Sequence, residues 1–476
     1  MRMVQIMLIC AVGLLACVGS SKLLYKLGVP TLILFIGLGM LAGSDGPGGF
    51  YFDNYELAQQ ICSVGLVFIM FYGGFGTNFK MAKPVLPQSV LMSTLGVIVT
   101  AVLTGVFCRF VLGMSLMEGL LVGSVVGSTD AASVFAILRS RNLNLKGGLA
   151  SLLEIESGSN DPIAYMLTIT MLSFLSPDKN TPIIKVMILQ IVFGLLVGVA
   201  VAKAAAYILR KVSFEITGLY YILVIAVAMF GYSLSETLGG NGYLSVYLIG
   251  IILGNSKIMH KRSLVHFFDG LSWIMQILLF FTLGLLAFPS HFPAVMWTGV
   301  AVWAFMTFVA RPAATFGILS WFKTPLKQQL LVSWVGLRGA ASIVFAIYAM
   351  TMNAGVESDL YHVVFFVAML SVLVQGTLIP PIAKKLDLVD EETTVFKTFT
   401  DYQEELGTRL VEFPIAKGHR FAGKSIMDAN IPEDILVVMI KRGEEVLVPK
   451  GSTLIRPGDT LVLSGNRFED TPELLS

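Results

Sequence analysis

A group of acidic and polar side chains interrupts an otherwise apolar stretch of the chain. It lies within the run Glu154-Ile-Glu-Ser-Gly-Ser-Asn-Asp-Pro162 and comprises Glu156, Ser157, Asn160 and Asp161. A carboxylate at membrane depth is costly, so it persists where it faces an interior cavity, pairs with a cation or binds a transported ion. Ser157 and Asp161 are four residues apart, so a helix brings their hydroxyl and carboxylate to one face, within reach of the same ion. We therefore predict a cation site with Asp161 as its principal ligand.

The same pattern allows another interpretation. Asp161-Pro162 could form the N-terminal cap of a helix, with residues 149–160 as a preceding loop. The remaining helix, residues 161–175, would then be too short for a bilayer, which needs about 20 residues. A continuous membrane-spanning helix over residues 149–175 is favoured.

Burial of Asp161 would also supply the chemistry of an exchange reaction. In a membrane cavity, desolvation favours the neutral carboxyl, so a proton and a cation compete for the same group at cellular pH. If only the neutralised site crosses between outward and inward states, this competition couples the two fluxes. Asn160 stands where a second acid would add a proton, which favours one-for-one exchange.

Glu156 needs a buried basic partner, and two arginines in apolar runs qualify. Arg311 precedes Pro312, and Arg338 lies further along the chain. A carboxylate and a guanidinium are tolerated together in a desolvated site only as a hydrogen-bonded pair. We predict that Glu156 pairs with Arg311, which leaves Asp161 as the titrating group. Alternatively, Arg311 lies at the cytoplasmic end of its span and extends to the lipid headgroups.

Two segments of the chain resemble each other without a gap, Ser124–Ser133 and Ser333–Ser342. By our count they lie seven membrane spans apart, an odd number, as in inverted-topology repeats. Glycines at matching positions predict a broken helix in each segment, with Asp130 in one break and Arg338 in the other. Because the ends of half-helices carry opposite partial charges, this acid and base would compensate the two crossing breaks.

The composition is that of a polytopic membrane protein. Hydrophobic residues make up 55% of the 476-residue chain and charged residues 13%, and the net charge of +2 implies no nucleic-acid partner. Four cysteines fall within apolar runs and suggest neither a disulfide framework nor a metal site. We predict about thirteen helical spans of roughly 20 residues. Their expected extents are 3–19, 28–43, 58–75, 88–112, 116–138, 149–175, 183–209, 216–236, 241–256, 268–288, 294–320, 328–350 and 359–383.

Lysine and arginine are concentrated in alternate loops between these spans. The basic loops carry Lys22 and Lys26; Lys80 and Lys83; Arg139, Arg141 and Lys146; Lys203, Arg210 and Lys211; Lys257, Lys261 and Arg262; Lys323 and Lys327. The positive-inside rule makes these loops cytoplasmic and places the N-terminus outside and the C-terminus inside the cell. The first apolar run could instead be a cleaved signal peptide or lipoprotein signal.

The composition changes near Lys384. We predict a membrane domain over residues 1–385, a charged linker over 386–401 and a small α+β cytoplasmic domain over 402–476. The expected strands of that domain are 409–415, 434–440, 445–448 and 460–464, with a short helix at 424–429.

The membrane part resembles the cation:proton antiporter-1 family, which includes NhaP-type and Na+/H+ exchanger proteins. The resemblance is carried by Ser128-Thr129-Asp130, by the run Glu156 to Asp161, and by Gly336-Leu-Arg-Gly339. It implies that Asp161 exchanges a monovalent cation for a proton, that Ser157 and Thr129 help to coordinate the cation, and that the exchange is electroneutral. It also implies two crossed broken helices, a homodimer and an elevator-like motion of a core domain. Some members of the family carry a further carboxylate in the third span. This sequence has Tyr72 there and no acid.

Residues 402–476 resemble the TrkA-C (RCK-C) module of potassium transport proteins. A lone module of this kind implies regulation by a nucleotide or another small cytoplasmic ligand, and its association with potassium transport favours K+ as the substrate. No cofactor is expected for the exchange itself.

The sequence therefore predicts a K+/H+ antiporter of the bacterial inner membrane, with a role in pH and volume homeostasis. A Na+ or Li+/H+ antiporter is the alternative within the same mechanism. A gated cation channel would need a selectivity filter of the Thr-Val-Gly-Tyr-Gly kind, which this chain lacks. A non-transporting membrane sensor is the remaining alternative, and no nucleophile-base pair indicates an enzyme.

Overall fold

The fold comes from a computed structural model of the chain. It describes residues 31–141, 143–175, 182–352, 359–390, 409–416, 419–429, 435–443 and 445–465, and the single positions 11, 13, 15, 19 and 431. The first predicted span, residues 3–19, lies almost wholly outside the described residues. The chain divides into two compact units, Met1–Thr400 and Asp401–Ser476.

The first unit is a bundle of helices. In chain order they are α1 (Thr31–Ala42), α2 (Tyr55–Gly76), α3 (Phe79–Ala82), α4 (Leu86–Val111), α5 (Leu116–Val125), α6 (Ala131–Ser140), α7 (Leu149–Leu175), α8 (Ile183–Lys211), α9 (Gly218–Thr237), α10 (Gly242–Gly254), α11 (Lys261–Leu286), α12 (Pro289–Phe322), α13 (Leu326–Trp334), α14 (Ala340–Thr351) and α15 (Leu360–Lys385). Within the described ranges, seven of these are long and apolar enough to cross a membrane: α2, α4, α8, α9, α11, α12 and α15. The number of thirteen spans stays a prediction.

The α7 helix runs unbroken over Leu149–Leu175, so the alternative in which residues 149–160 form a loop is wrong. It passes through Pro162, which has no N–H to donate to the carbonyl four residues earlier. The Pro162 carbonyl in turn accepts a hydrogen bond from Asn241 Nδ2 at 2.7 Å. The polar run of α7 is therefore held inside the bundle as a regular helix.

The two similar segments are both broken helices, as predicted. Residues 126–130 separate α5 from α6, and residues 335–339 separate α13 from α14. The breaks touch, because the Asp130 N–H donates to the Leu337 carbonyl at 2.8 Å. A backbone group that lacks a helical hydrogen bond in one break thus finds its partner in the other break. Such pairing allows unwound backbone to lie within the membrane interior.

A short antiparallel sheet joins the loop before α7 to the segment after α15. Strand β1 (Asn144–Leu145) pairs with β2 (Val389–Asp390). Leu388 and Val389 are 6% and 7% exposed and pack in an apolar cluster with residues of α6, α7, α13 and α15. The sequence did not suggest this pairing, since residues 386–401 were expected to form only a linker.

The second unit contains a four-stranded antiparallel sheet of order β3-β6-β4-β5. Its strands are β3 (Arg409–Pro414), β4 (Ile435–Arg442), β5 (Glu445–Leu447) and β6 (Thr460–Gly465). All four expected strands are present. The Arg442 guanidinium donates to both oxygens of Asp459 at 2.8 Å and holds the pKa of that carboxyl below its usual range. This contact fixes the turn that leads into β6.

The predicted helix at residues 424–429 is wrong, because the structure has turns there. The Ile426 and Met427 N–H groups donate to the carbonyls of Thr453 and Gly451, so they make no helical bonds. Ser425 also accepts from the Asp428 N–H through its side chain. Pairing with a distant segment has overridden the local helix signal.

Candidate ion-binding site

A cavity of about 250 Å³ lies between α7, the first helix break and the helices α2, α10, α11 and α14. Four carboxylates line it, those of Asp130, Glu154, Asp161 and Asp269, and no Lys or Arg of the described residues does so. A cleft lined by charges of one sign concentrates ions of the opposite sign. The cavity is therefore suited to cations.

The Asp161 carboxylate faces this cavity and accepts a hydrogen bond from the hydroxyl of Ser128. Ser157 lines the same cavity one turn away and donates its own proton to the Thr129 carbonyl at 2.5 Å. The structure thus places Asp161, Ser157 and Thr129 around one cavity.

Asn160 fixes the first break against α7. Its Nδ2 lies 2.5 Å from Thr129 Oγ1, and its Oδ1 accepts from the Thr129 N–H at 3.3 Å. Asn160 is fully buried. A neutral amide can donate and accept at the same time, whereas an ionised carboxylate could only accept. Asn160 therefore positions the break without adding a charge.

Glu156 and Arg311 form a buried ion pair, with Arg311 Nη1 2.6 Å from Glu156 Oε1. Their side chains are 1% and 4% exposed, so the alternative in which Arg311 extends to lipid headgroups is wrong. Gly336 of the second break makes room for the guanidinium, since a Cβ there would lie 2.9 Å from Arg311 Nε. The pair links α7, α12 and the second break.

Asp130 and Arg338 each satisfy a half-helix end. Asp130 caps α6, because its carboxylate accepts from Ser133 N at 3.2 Å and Ser133 Oγ at 2.5 Å. Arg338 Nη1 donates to the carbonyls of Gly127 and Ser128 at 2.8 and 2.9 Å, just beyond the end of α5. The acid thus lies at a positive helix end and the base at a negative one. Arg338 compensates the break of the other repeat rather than its own.

Replacement of Gly339 by alanine tests how closely the breaks must approach. A Cβ at Gly339 would lie 2.4 Å from Asp130 Cβ and 2.7 Å from Asp130 Oδ2, while its φ of −123° suits any residue. The clash, and not the backbone conformation, should then cost about 1–3 kcal/mol and displace the cap of α6. We expect a lower thermal midpoint in detergent and reduced transport. Gly317→Ala on α12 is the matched control, because its Cβ would meet open space; equal behaviour of the two variants would refute the close-approach argument.

Sequence reasoning missed three residues of the cavity. The sequence predicts that Ser157 accompanies Asp161, and Ser128 enters that prediction only as part of the motif Ser128-Thr129-Asp130. In the structure it is the Ser128 hydroxyl that donates to the Asp161 carboxylate. Asp269 on α11 accepts from the Tyr72 hydroxyl at 2.8 Å, so an acid does stand beside the third span. Tyr247 on α10 also lines the cavity. Both of these belong to helices far from the motifs, and no local pattern marks them.

These features define a class of protein. Crossed broken helices in two repeats, beside Asp161 in an acid-lined cavity, are the architecture of a secondary transporter.

The comparisons with known proteins give the family. Residues 12–385 match the family described as sodium/hydrogen exchanger, transmembrane, and residues 410–467 match the TrkA-C domain. The chain therefore belongs to the sodium/hydrogen exchanger family. The predicted resemblance is confirmed, and with it the predicted class, a cation/proton antiporter in a membrane.

Several relatives are similar over almost the whole chain. The K(+)/H(+) antiporter NhaP2 of Shewanella sp. (strain ANA-3) is 33% identical over 98% of this chain and 83% of its own length. The K(+)/H(+) antiporter NhaP of Alkalimonas amylolytica is 32% identical over 98% and 82%. The solved structure of the sodium proton antiporter MjNhaP1 from Methanocaldococcus jannaschii at pH 8 superposes with a TM-score of 0.70 at 23% identity, and the match covers 80% of this chain and 99% of that one. This likeness confirms the predicted transporter fold.

Proposed function

We propose that this protein exchanges K+ for H+ across the bacterial cytoplasmic membrane, one for one, with both ions competing for Asp161. The observation that carries the proposal is the position of Asp161, whose carboxylate faces an acid-lined cavity beside the two crossed breaks. Ser157 and Thr129 complete the cation site, and Asn160, Asp130, Glu156, Arg311 and Arg338 hold its parts in place. The choice of K+ is supported by the names of the relatives in Shewanella and Alkalimonas.

Exchange of Na+ or Li+ at the same site is the second candidate. It is favoured by the fold match to a sodium proton antiporter. The two candidates share the mechanism and differ in how well the oxygens around Asp161 replace the hydration shell of each ion.

The deciding experiment follows proton efflux from acid-loaded proteoliposomes as K+, Na+ or Li+ is added outside, with the membrane potential clamped. A saturable efflux driven by K+ supports the proposal. A response to Na+ and Li+ alone would replace K+ as the substrate and keep the mechanism. No proton movement with any cation would refute antiport and favour the channel or the sensor.

The proposed arrangement in the cell follows the loop charges. The N-terminus is outside and the residues after α15 are cytoplasmic, by the positive-inside rule. The transport domain covers residues 1–385 together with the paired segment up to Asp390, a linker follows up to residue 401, and the regulatory domain covers 402–476, where a nucleotide or another small ligand would act. Family resemblance supports a homodimer, embedded in lipid, in which a core domain carrying α7 moves as an elevator.

Two truncations separate regulation from stability. A chain ending after Asp390 keeps β2 and should retain expression and exchange, whereas one ending after Lys385 also loses the buried Leu388 and Val389. Burial of each side chain contributes about 1.5–3 kcal/mol, so the shorter chain should express poorly and melt at a lower temperature. Detergent-solubilised yield and thermal midpoint measure this difference. Equal stability of the two chains would show that the β1–β2 pairing does not brace the transport unit.

A further inference from the structure

The hydroxyl oxygen of Tyr247 accepts no hydrogen bond from the described residues. Tyr247 is 3% exposed and lines the same cavity as Asp161. A buried oxygen that accepts no hydrogen bond costs about 1–3 kcal/mol, so a ligand that uses its lone pairs would offset this cost.

The phenol ring lies against the ion-binding turn of α7. A Cβ at Gly158 would be 2.7 Å from Tyr247 Cε2 and 2.8 Å from its hydroxyl oxygen, so only glycine leaves room for this contact. Gly158 stands between Ser157 and Asp161 in the sequence. The helix α10 is itself held close to α2, since a Cβ at Gly74 would lie 2.3 Å from the Tyr247 carbonyl oxygen. The hydroxyl is thus fixed beside this turn.

The same turn carries an unusual number of oxygen acceptors. Pro162 has no N–H, so the carbonyl of Gly158 loses its helical donor. With the Ser157 hydroxyl and the Asp161 carboxylate, this carbonyl makes three oxygen groups on one turn. A K+ ion that leaves water needs several neutral oxygens to replace its hydration shell.

We propose that the Tyr247 hydroxyl is a further cation ligand, which supplies a neutral oxygen from α10 to the ion held at Asp161. This inference rests on the proposed function. A phenol that binds a cation must aim its lone pairs at the ion and its proton elsewhere. Thr77 on α2 is a neighbouring hydroxyl whose own proton goes to the Gly73 carbonyl at 3.0 Å, so its oxygen is available for that proton.

Tyr247→Phe tests the proposal, because it removes the hydroxyl and keeps the ring against Gly158. We expect the apparent KM for K+ to rise about five- to tenfold at an unchanged maximal rate, as for loss of one hydrogen-bond-sized interaction. The ratio of the KM values for K+ and Na+ should also change, since the two ions use their ligands differently. The K+ concentration that half-protects Asp161 from a hydrophobic carbodiimide should shift by the same factor, in a binding measurement that needs no turnover.

Tyr243→Phe is the matched control, one turn earlier on the same helix. Tyr243 is fully buried, and its hydroxyl lies 3.3 Å from that of Tyr348. This variant should lose stability and keep the wild-type KM. A KM for Tyr247→Phe within twofold of wild type, or an equal rise in both variants, would overturn the assignment. Wild-type protein that exchanges no cation would overturn the proposed function itself, and the two failures are distinguished because wild type is measured first.

Discussion

Asp161→Asn is expected to abolish cation-driven proton movement and leave the protein folded. The asparagine side chain has the size of the original but neither carries a charge nor releases a proton at cellular pH. Its carbonyl oxygen can still accept the hydrogen bond that Ser128 donates to Asp161. We expect the exchange rate in proteoliposomes to fall about a hundredfold or more, with a thermal midpoint close to that of wild type.

Asp269→Asn provides the matched control for this loss. Asp269 lines the same cavity, and its carboxylate accepts from Tyr72. Asp269 should act only through its negative charge, which attracts cations into the cavity. Its replacement should therefore raise the apparent KM for K+ and preserve the maximal rate. Residual proton-coupled flux in the Asp161 variant would contradict the assignment, and complete loss in both variants would show that the exchange needs more than one carboxylate.

The parts of the site that were predictable lie on single elements or in the repeat. The spacing of Ser157 and Asp161 follows from helix geometry, and the structure has one unbroken helix there. The two breaks were visible because the sequence repeats itself. The pairing of Glu156 with Arg311 followed from the cost of unpaired buried charge, which leaves few partners in a chain with 13% charged residues.

The parts that were not predictable depend on packing between distant elements. Tyr72 and Asp269 meet across 197 positions of sequence, and nothing local marks either residue. Tyr247 lies on an apolar helix where a tyrosine is expected to serve only as core. The helix expected at 424–429 failed for the same reason, because backbone donors there pair with residues 451–453. Contacts between residues far apart in the sequence decided each case.

Glu156→Gln is expected to destabilise the transport domain more than any other single amino-acid substitution discussed above. The glutamine leaves Arg311 charged and buried at 4% exposure, where its carboxylate partner stood 2.6 Å away. Removal of one member of a buried pair costs about 3–5 kcal/mol, mostly because the other charge stays desolvated. A fall in expression and in the thermal midpoint in detergent should accompany any loss of exchange, unlike in the Asp161 variant.

A double replacement separates two contributions to the free energy of unfolding, the cost of one unpaired buried charge and the net stabilisation by the ion pair. Glu156→Gln combined with Arg311→Met removes both charges and keeps most of the buried volume, so stability should recover to within about 1–2 kcal/mol of wild type. Arg311→Met alone should be as damaging as Glu156→Gln, because it leaves the carboxylate unpaired. If the double variant melts no higher than either single one, the arginine has a further role in the second break, where Gly336 makes room for its side chain. If Glu156→Gln melts like wild type, the pair does not stabilise the fold and Glu156 belongs with the transport chemistry instead.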